Sequence, residues 1–231
     1  MEHFKSDNQF SFSIKKKEYS ALSMIIIINV IFFLPWIFSY LSGNHYAYNF
    51  LTYFGSLTIN IDRAPDFFDG YFYQVVTAMF IHGSLMHLLF NMYALYVFGK
   101  FIENKWGALR FALFYCVVGI LANCASAFFF KYTGYPVRLI GASGAVFGVL
   151  LAYGAYNPNT VLLLFFIIPI KIKWLVPVFI VIEIILEVTQ TASGIAHITH
   201  LFGLLFSFLY LLLFFRINAI KKMYFSSETI I

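Results

Sequence analysis

The stretch LIGASGAVFGVLLAYG, residues 139–154, places a serine, Ser143, inside a strongly apolar segment. A serine hydroxyl is a weak nucleophile unless a base takes its proton, and a neutral histidine is the usual base. Four histidines stand at the start of two other apolar segments, namely His82, His87, His197 and His200. These residue types predict hydrolysis by a serine nucleophile, provided that the segments bring them together.

Groups that could stabilise a negatively charged intermediate are also present. We expect Ser143 at the start of a helix, where backbone N–H groups have no partner within the helix. His87 and Asn91 are four residues apart and therefore share one helix face, where they can add side-chain donors. One such donor typically contributes ~3 kcal/mol to the transition state. His200 also lies near a helix start, whose dipole disfavours the imidazolium and keeps the ring neutral.

The same residues allow a purely structural interpretation. Gly141, Ala145 and Gly148 form a small-xxx-small ridge of the kind that packs closely on another helix, and His200 is followed by small residues at +3 and +7. A single histidine in a helix bundle is more often a polar contact than a base. The combination favours catalysis, because close packing of the two segments would join the two halves of a Ser–His pair.

The composition places these segments in a membrane. Only 11% of the 231 residues are charged, 61% are apolar, and the mean hydropathy is +0.83. A soluble domain averages about 25% charged residues, and a bilayer-spanning helix needs about 20 mostly apolar ones. We therefore predict an all-α membrane protein, a six-transmembrane-helix bundle. The predicted spans are 21–42, 82–102, 108–130, 142–157, 174–190 and 196–216.

Four further segments complete the predicted organisation. Residues 43–81 form an aromatic-rich interfacial loop between spans one and two. The apolar run 161–170 is interrupted by a proline and lysines, so we interpret it as an interfacial segment leading into span five, with a seventh span as the alternative count. The core 21–217 is flanked by an N-terminal segment 1–20 and a C-terminal tail 218–231.

The distribution of positive charge predicts the orientation. If the N-terminus is in the cytoplasm, twelve of the 15 basic residues lie on the cytoplasmic side of the membrane. The three on the outer side are Arg63, Lys131 and Arg138. This matches the excess of Lys and Arg in cytoplasmic loops, so both termini are expected there, in what we interpret as a bacterial inner membrane. The net charge of +5 then needs no nucleic-acid partner.

The motifs HGSLMHLLFN (82–91), GASGAVFG (141–148) and AHITHLFG (196–203) together resemble the rhomboid intramembrane serine proteases. The resemblance implies a Ser–His dyad without a third carboxylate. Ser143 would be the nucleophile and His200 the base, because His200-Leu-Phe-Gly203 fits the family's H-x-x-G pattern. His197 would then be a neighbour.

The resemblance also assigns supporting roles. His87 and Asn91 match the family's oxyanion-side H-x-x-x-N, and Phe147 matches an aromatic residue that stacks on the catalytic imidazole. The remaining supporting residues in these motifs are His82, Gly141, Gly144 and Gly203. In GKFIENKWG (99–107), Glu103 is the acidic member of the turn after span two. One departure is Tyr73-Gln74, where many members have Trp-Arg, and this leaves the anchoring of the outer loop open.

The implied function is cleavage of transmembrane segments of other proteins near the outer face, without a cofactor or metal; the oligomeric state stays open. The rivals are an inactive rhomboid-like protein that binds membrane clients, and a channel or transporter with a histidine-lined path. Two points argue against a channel or transporter. The chain lacks inverted repeats, and no carboxylate is expected beside the histidines as a likely ligand. Glu183 and Glu187 share a face of span five, where we expect a structural polar contact, with gating as the alternative.

Overall fold

The computed structural model describes residues 19–164, 167–189 and 197–225. Within these ranges the chain is predominantly helical, as predicted. The helices are α1 (Ala21–Ser42), α2 (Tyr46–Gly55), α3 (Gln74–Thr77), α4 (Leu85–Trp106), α5 (Ala108–Thr133), α6 (Ser143–Tyr156), α7 (Ile172–Thr189) and α8 (His197–Phe214). The strands are β1 (Leu57–Ile59), β2 (Val137–Leu139), β3 (Val161–Leu164) and β4 (Ile168–Lys171).

Four described helices, α1, α4, α5 and α8, are long and apolar enough to cross a bilayer. The other two helices that match predicted spans differ from them in length or charge. Helix α6 has only 14 residues, and the 18-residue α7 carries Lys173, Glu183 and Glu187. The all-α membrane fold is thus confirmed, while the count of six spans stays a prediction.

Helix α6 lies at the centre of the bundle, packed against α4, α5, α7 and α8. The main core is formed by apolar side chains of these helices and α1. The central position suits the composition of α6, in which Gly144, Gly148 and Gly154 let neighbouring helices approach. The helix that begins at Ser143 is therefore held on several sides.

The start of α1 is fixed by a side chain from α4. Glu103 accepts hydrogen bonds from the backbone N–H of Leu22 (3.0 Å) and from the hydroxyl of Ser20 (2.7 Å). The Ser20 hydroxyl in turn accepts from the N–H of Ser23. Glu103 thus satisfies an N–H group that an isolated helix would leave without a partner.

One sequence-based boundary needs correction. Span two was predicted from residue 82, but α4 begins at Leu85 because the Ser84 side chain caps it by accepting from the N–H of His87. Along the run 161–170, β3 and β4 pair as an antiparallel hairpin, with Val161 opposite Lys171, while the interfacial position of this run stays a prediction. Hydropathy alone does not indicate such strand pairing.

The loop 43–81 is anchored by Gln74, at the position where the sequence departs from the pattern of the resembled family. Its buried side chain accepts from the N–H of Thr58 (3.1 Å) and donates to the carbonyl of Pro65 (2.8 Å). Strand β1 in the same loop pairs with β2, which leads directly into the segment before Ser143. Gln74 therefore helps to hold the loop against β2, the strand that precedes Ser143.

We expect Gln74→Ala to lower the thermal stability of the purified protein in detergent. The substitution would leave the Thr58 N–H and the Pro65 carbonyl without their partners, at about 1–3 kcal/mol for a buried unsatisfied group. The neighbouring Tyr73→Phe serves as the control, because Tyr73 is exposed and loses only its hydroxyl. Equal melting temperatures for the two variants would contradict the anchoring role.

Candidate active site

The backbone turns sharply just before Ser143. Gly141 has a φ of +114°, in a region that residues with a side chain rarely adopt, and its N–H donates to the carbonyl of Ala78 (2.8 Å). Two residues later α6 begins, and its N-cap residue, Ala142, makes no side-chain capping hydrogen bond. The N–H groups of this turn are therefore those that a helix leaves free at its start.

Gly141 does not lie in the interface between α6 and α8, contrary to the predicted ridge. A Cβ on Gly141 would stand 2.7 Å from Nε2 of His87 and 3.8 Å from Oγ of Ser143. The glycine precedes the helix, so helical periodicity does not apply to it. Its lack of a side chain instead leaves open the space between the His87 imidazole and the serine hydroxyl.

Ser143 and His200 meet directly. Oγ of Ser143 lies 2.7 Å from Nε2 of His200, within hydrogen-bond distance. The His200 ring stacks on Phe147, with ring centroids 4.5 Å apart and planes within 6°. Phe147 is one turn after Ser143 on the same helix, so α6 supplies both the hydroxyl and the surface against which the imidazole is held.

Glycines bring α6 and α8 into backbone contact at this level. A Cβ on Gly203 would stand 2.0 Å from the carbonyl oxygen of Gly144. One turn further, the hydroxyl of Ser207 donates to the carbonyl of Gly148 (2.8 Å). Gly144, Gly148 and Gly203 therefore form the close interface that was predicted, with Gly144 in the place that the sequence pattern had given to Gly141.

We expect Gly203→Ala to destabilise the protein strongly, because the added methyl group would overlap a backbone carbonyl that side-chain rotation cannot move. Overpacking in a core typically costs about 1–3 kcal/mol and occasionally more. Gly83→Ala is a matched control, since its Cβ would meet only the end of the Ile140 side chain, at 3.3 Å. Thermal unfolding in detergent measures both, and similar melting temperatures would exclude the backbone contact.

The predicted oxyanion-side residues His87 and Asn91 both lie on α4, and the supporting His82 lies just before it. The His87 ring packs edge-on against His82, which is almost fully buried, with ring centroids 4.9 Å apart. Asn91 is buried, and its Nδ2 donates to the carbonyl of His87 (2.9 Å). Nε2 of His87 and Oγ of Ser143 both lie within 3.8 Å of the point that a Cβ on Gly141 would occupy. The His87 imidazole therefore lies near the Ser143 hydroxyl.

A carboxylate lies beside the histidines, and its expected absence was wrong. Oε2 of Glu183 lies 2.5 Å from Nδ1 of His197, and Oε1 lies 3.0 Å from Nδ1 of His200. All three residues are buried. Glu187, one turn along α7, instead accepts from the backbone N–H of Ile198 (3.0 Å) at the start of α8. The i, i+4 spacing of the two glutamates indicated a polar face but not which of them would reach His200.

The same three side chains could also hold a metal ion. One ligand atom from each of Glu183, His197 and His200 lies within 4.8 Å of the others. Two imidazoles and a carboxylate are a donor set found in zinc sites. We expected no carboxylate ligand beside the histidines and used this against a channel that conducts metal ions. That expectation is wrong for Glu183.

Comparison with known proteins gives the family. The family model described as the Rhomboid domain matches residues 69–217. The chain is 31% identical over 154 residues to the Rhomboid-like protein 11, chloroplastic, of Arabidopsis thaliana, an alignment that covers 58% of the chain and 49% of the relative. It is also 38% identical over 81 residues to the rhomboid protease GluP of Bacillus subtilis, covering 35% of the chain and 15% of GluP.

A third relative, the putative rhomboid protease YdcA of Bacillus subtilis, is 32% identical over 87 residues, covering 37% of the chain and 41% of YdcA. The chain thus spans less than half the length of each of these relatives. The family model, by contrast, matches well over half of the chain and includes the segments that carry His82, His87, Ser143 and His200. With its apolar helices, this match identifies the chain as an integral membrane protein of the rhomboid family.

Proposed function

We propose that this protein is an intramembrane serine endopeptidase that cleaves transmembrane segments of other membrane proteins. The observation that carries the proposal is the 2.7 Å contact between Oγ of Ser143 and Nε2 of His200 at the start of α6. It is the geometry in which a histidine can take the proton of a serine nucleophile. The rhomboid membership of the chain supports the same reaction class.

The reaction follows from these positions. Oγ of Ser143 attacks the scissile carbonyl carbon while its proton passes to Nε2 of His200, and the carbonyl oxygen becomes an oxyanion. The intermediate collapses, the C–N bond breaks, and the leaving amine takes the proton from Nε2. Water then attacks the acyl-enzyme, giving its proton to His200, and the acid product leaves as Ser143 regains a proton.

The oxyanion needs donors that are in place before the charge develops. The backbone N–H of Ser143 is at the uncapped start of α6. His87 contributes an imidazole that faces the serine hydroxyl across Gly141, and Asn91, one turn further along α4, is a second candidate donor. Phe147 holds the His200 ring in the plane that presents Nε2 to Ser143.

The substrate must present an unwound peptide bond at this site. The carbonyls of an intact transmembrane helix are engaged in hydrogen bonds within the helix, so helix-weakening residues near the cut favour cleavage. By the charge distribution, both termini are cytoplasmic and the site lies towards the outer face of a bacterial inner membrane. The protease unit would span residues 21–217, with 1–20 and 218–231 as tails; fusions of a reporter to the C-terminus test this orientation.

Labelling with a serine-directed fluorophosphonate tests the function without knowledge of the natural substrate. The wild-type protein is expected to be labelled and Ser143→Ala is not, since the reagent needs an activated hydroxyl. Cleavage of a fluorescent transmembrane substrate by the same preparations separates a protease from a client-binding relative. A folded wild-type protein that is neither labelled nor able to cleave would favour the inactive relative.

A further inference from the structure

Glu183 contacts the catalytic pair, yet the dyad chemistry above assigns it no role. Its carboxylate lies between two imidazoles of α8, with one oxygen 3.0 Å from Nδ1 of His200 and the other 2.5 Å from Nδ1 of His197. Only 7% of Glu183 is exposed, so the charge is shielded from solvent. A buried carboxylate is costly unless it is paired, and here both of its oxygens face a histidine.

We propose that Glu183 is a positioning residue for His200, which makes the catalytic group a Ser143–His200–Glu183 triad in place of a dyad. The proposal rests on the proposed function, because it describes how the base of that reaction is held. It concerns the ring atom of His200 that points away from the serine. His197 belongs to the same group, as the residue that holds the second oxygen of the carboxylate.

The tautomer of His200 gives the chemical reason. To accept the proton of Ser143, Nε2 must carry a lone pair, and the ring proton of the neutral imidazole must then be on Nδ1. The nearest carboxylate oxygen to Nδ1 is Oε1 of Glu183. A negative charge at this place favours the tautomer with the proton on Nδ1 and stabilises the imidazolium that forms during attack, as the aspartate does in serine protease triads.

The resting geometry also sets the expected size of the effect. The His200–Glu183 contact is close, but among the described residues Nδ1 of His200 makes no aligned hydrogen bond. Catalytic hydrogen bonds often align fully only when substrate is bound. Loss of a triad aspartate reduces turnover by about 10⁴, and the imperfect alignment argues for a smaller loss here, on the order of 10 to 100-fold.

The helix packing explains why Glu183 and not Glu187 has this role. The two residues are one turn apart on α7, and both reach α8. Glu187 caps the N–H of Ile198, whereas Glu183 lies one turn further from the end of α7 and reaches the side chains of His197 and His200. The two glutamates therefore provide an internal control. They are the same residue type on the same helix, but the Glu183 carboxylate contacts two imidazoles and the Glu187 carboxylate accepts from a backbone N–H.

The test compares Glu183→Gln with Glu187→Gln, using preparations that are folded like the wild-type protein. Two quantities are measured for each variant, the turnover of substrate and the rate of labelling. Turnover of a fluorescent transmembrane substrate should fall about 10 to 100-fold in Glu183→Gln with little change in KM, because the contact acts on the transition state. The rate of fluorophosphonate labelling of Ser143 should fall in parallel. Glu187→Gln should stay within about two-fold of wild type, since its amide oxygen can still accept from a backbone N–H.

A structural role alone gives a different outcome. If Glu183 only joins α7 to α8, Glu183→Gln lowers the melting temperature while turnover and labelling per folded molecule stay at the wild-type level, and this result would overturn the proposal. An equal loss in Glu187→Gln would overturn it as well. A wild-type protein that is not labelled at all refutes the proposed function itself, so the two failures are distinguishable.

Discussion

Ser143→Ala and His200→Ala should each abolish cleavage, and the double variant should lose little more than either single one. The two side chains are 2.7 Å apart and in the proposed mechanism perform one proton transfer, so removing either would end the nucleophilic pathway. Residues that act as such a unit are strongly non-additive, with losses of about 10⁶ for single removals in a soluble serine protease. Turnover of a fluorescent transmembrane substrate measures the loss.

His197→Ala distinguishes the base from its neighbour. His197 contacts Glu183 by its Nδ1 but no contact joins it to Ser143 among the described residues, so this variant should retain measurable turnover. Melting temperatures of all variants are compared in the same detergent, because His197 and His200 are both buried. If His197→Ala is inactive and His200→Ala cleaves, the assignment of the base is wrong.

His87→Ala should reduce turnover by about 10² to 10³ with little change in apparent substrate affinity, as expected for the loss of one oxyanion donor. Nε2 of His87 and Oγ of Ser143 lie on either side of the Cβ position of Gly141, and in the proposed mechanism the carbonyl oxygen of a bound substrate develops its charge there. The N–H groups at the start of α6 remain in the variant, so some activity should survive, in contrast to Ser143→Ala. Fluorophosphonate labelling should be slower but detectable.

Asn91→Ala is expected to act in the same direction as His87→Ala. Since Asn91 already donates to the His87 carbonyl, its removal can also affect the helix itself, and turnover must be compared with thermal stability on the same preparations. The alternative is that His87 and Asn91 only stabilise the packing of helices and have no role in catalysis. A His87→Ala protein that is destabilised but fully active per folded molecule would remove His87 from the site.

The sequence contained enough to predict the meeting of Ser143 and His200. Small residues follow each of them at helical spacing, and small residues are what allow two helix backbones to approach in a membrane. The structure realises this through Gly144, Gly148 and Gly203. The prediction for Gly141 was wrong because helical periodicity was extended to a residue two positions before the start of α6. A pattern of small residues does not show where a helix begins.

The position of Glu183 could not be predicted in the same way. Hydropathy and spacing show that α7 carries two acidic residues on one face, but which of them reaches the imidazoles depends on how α7 is rotated against α8. That rotation is set by packing along the whole interface. The expectation that no carboxylate lies beside the histidines failed for this reason, and the hairpin of β3 and β4 was missed because strand pairing is a property of two segments.

The hydrogen bonds from Ser20 and Leu22 to Glu103 have a consequence for biosynthesis. The Ser20–Glu103 pair is separated by 83 residues, and a chain grows by about 5–20 residues per second, so Glu103 is synthesised roughly 4 to 17 s after the residues it binds. During that interval the first helix has no partner from α4 at its start. The placement of α1 in the bundle therefore cannot be completed before the second long apolar helix has followed it out of the ribosome.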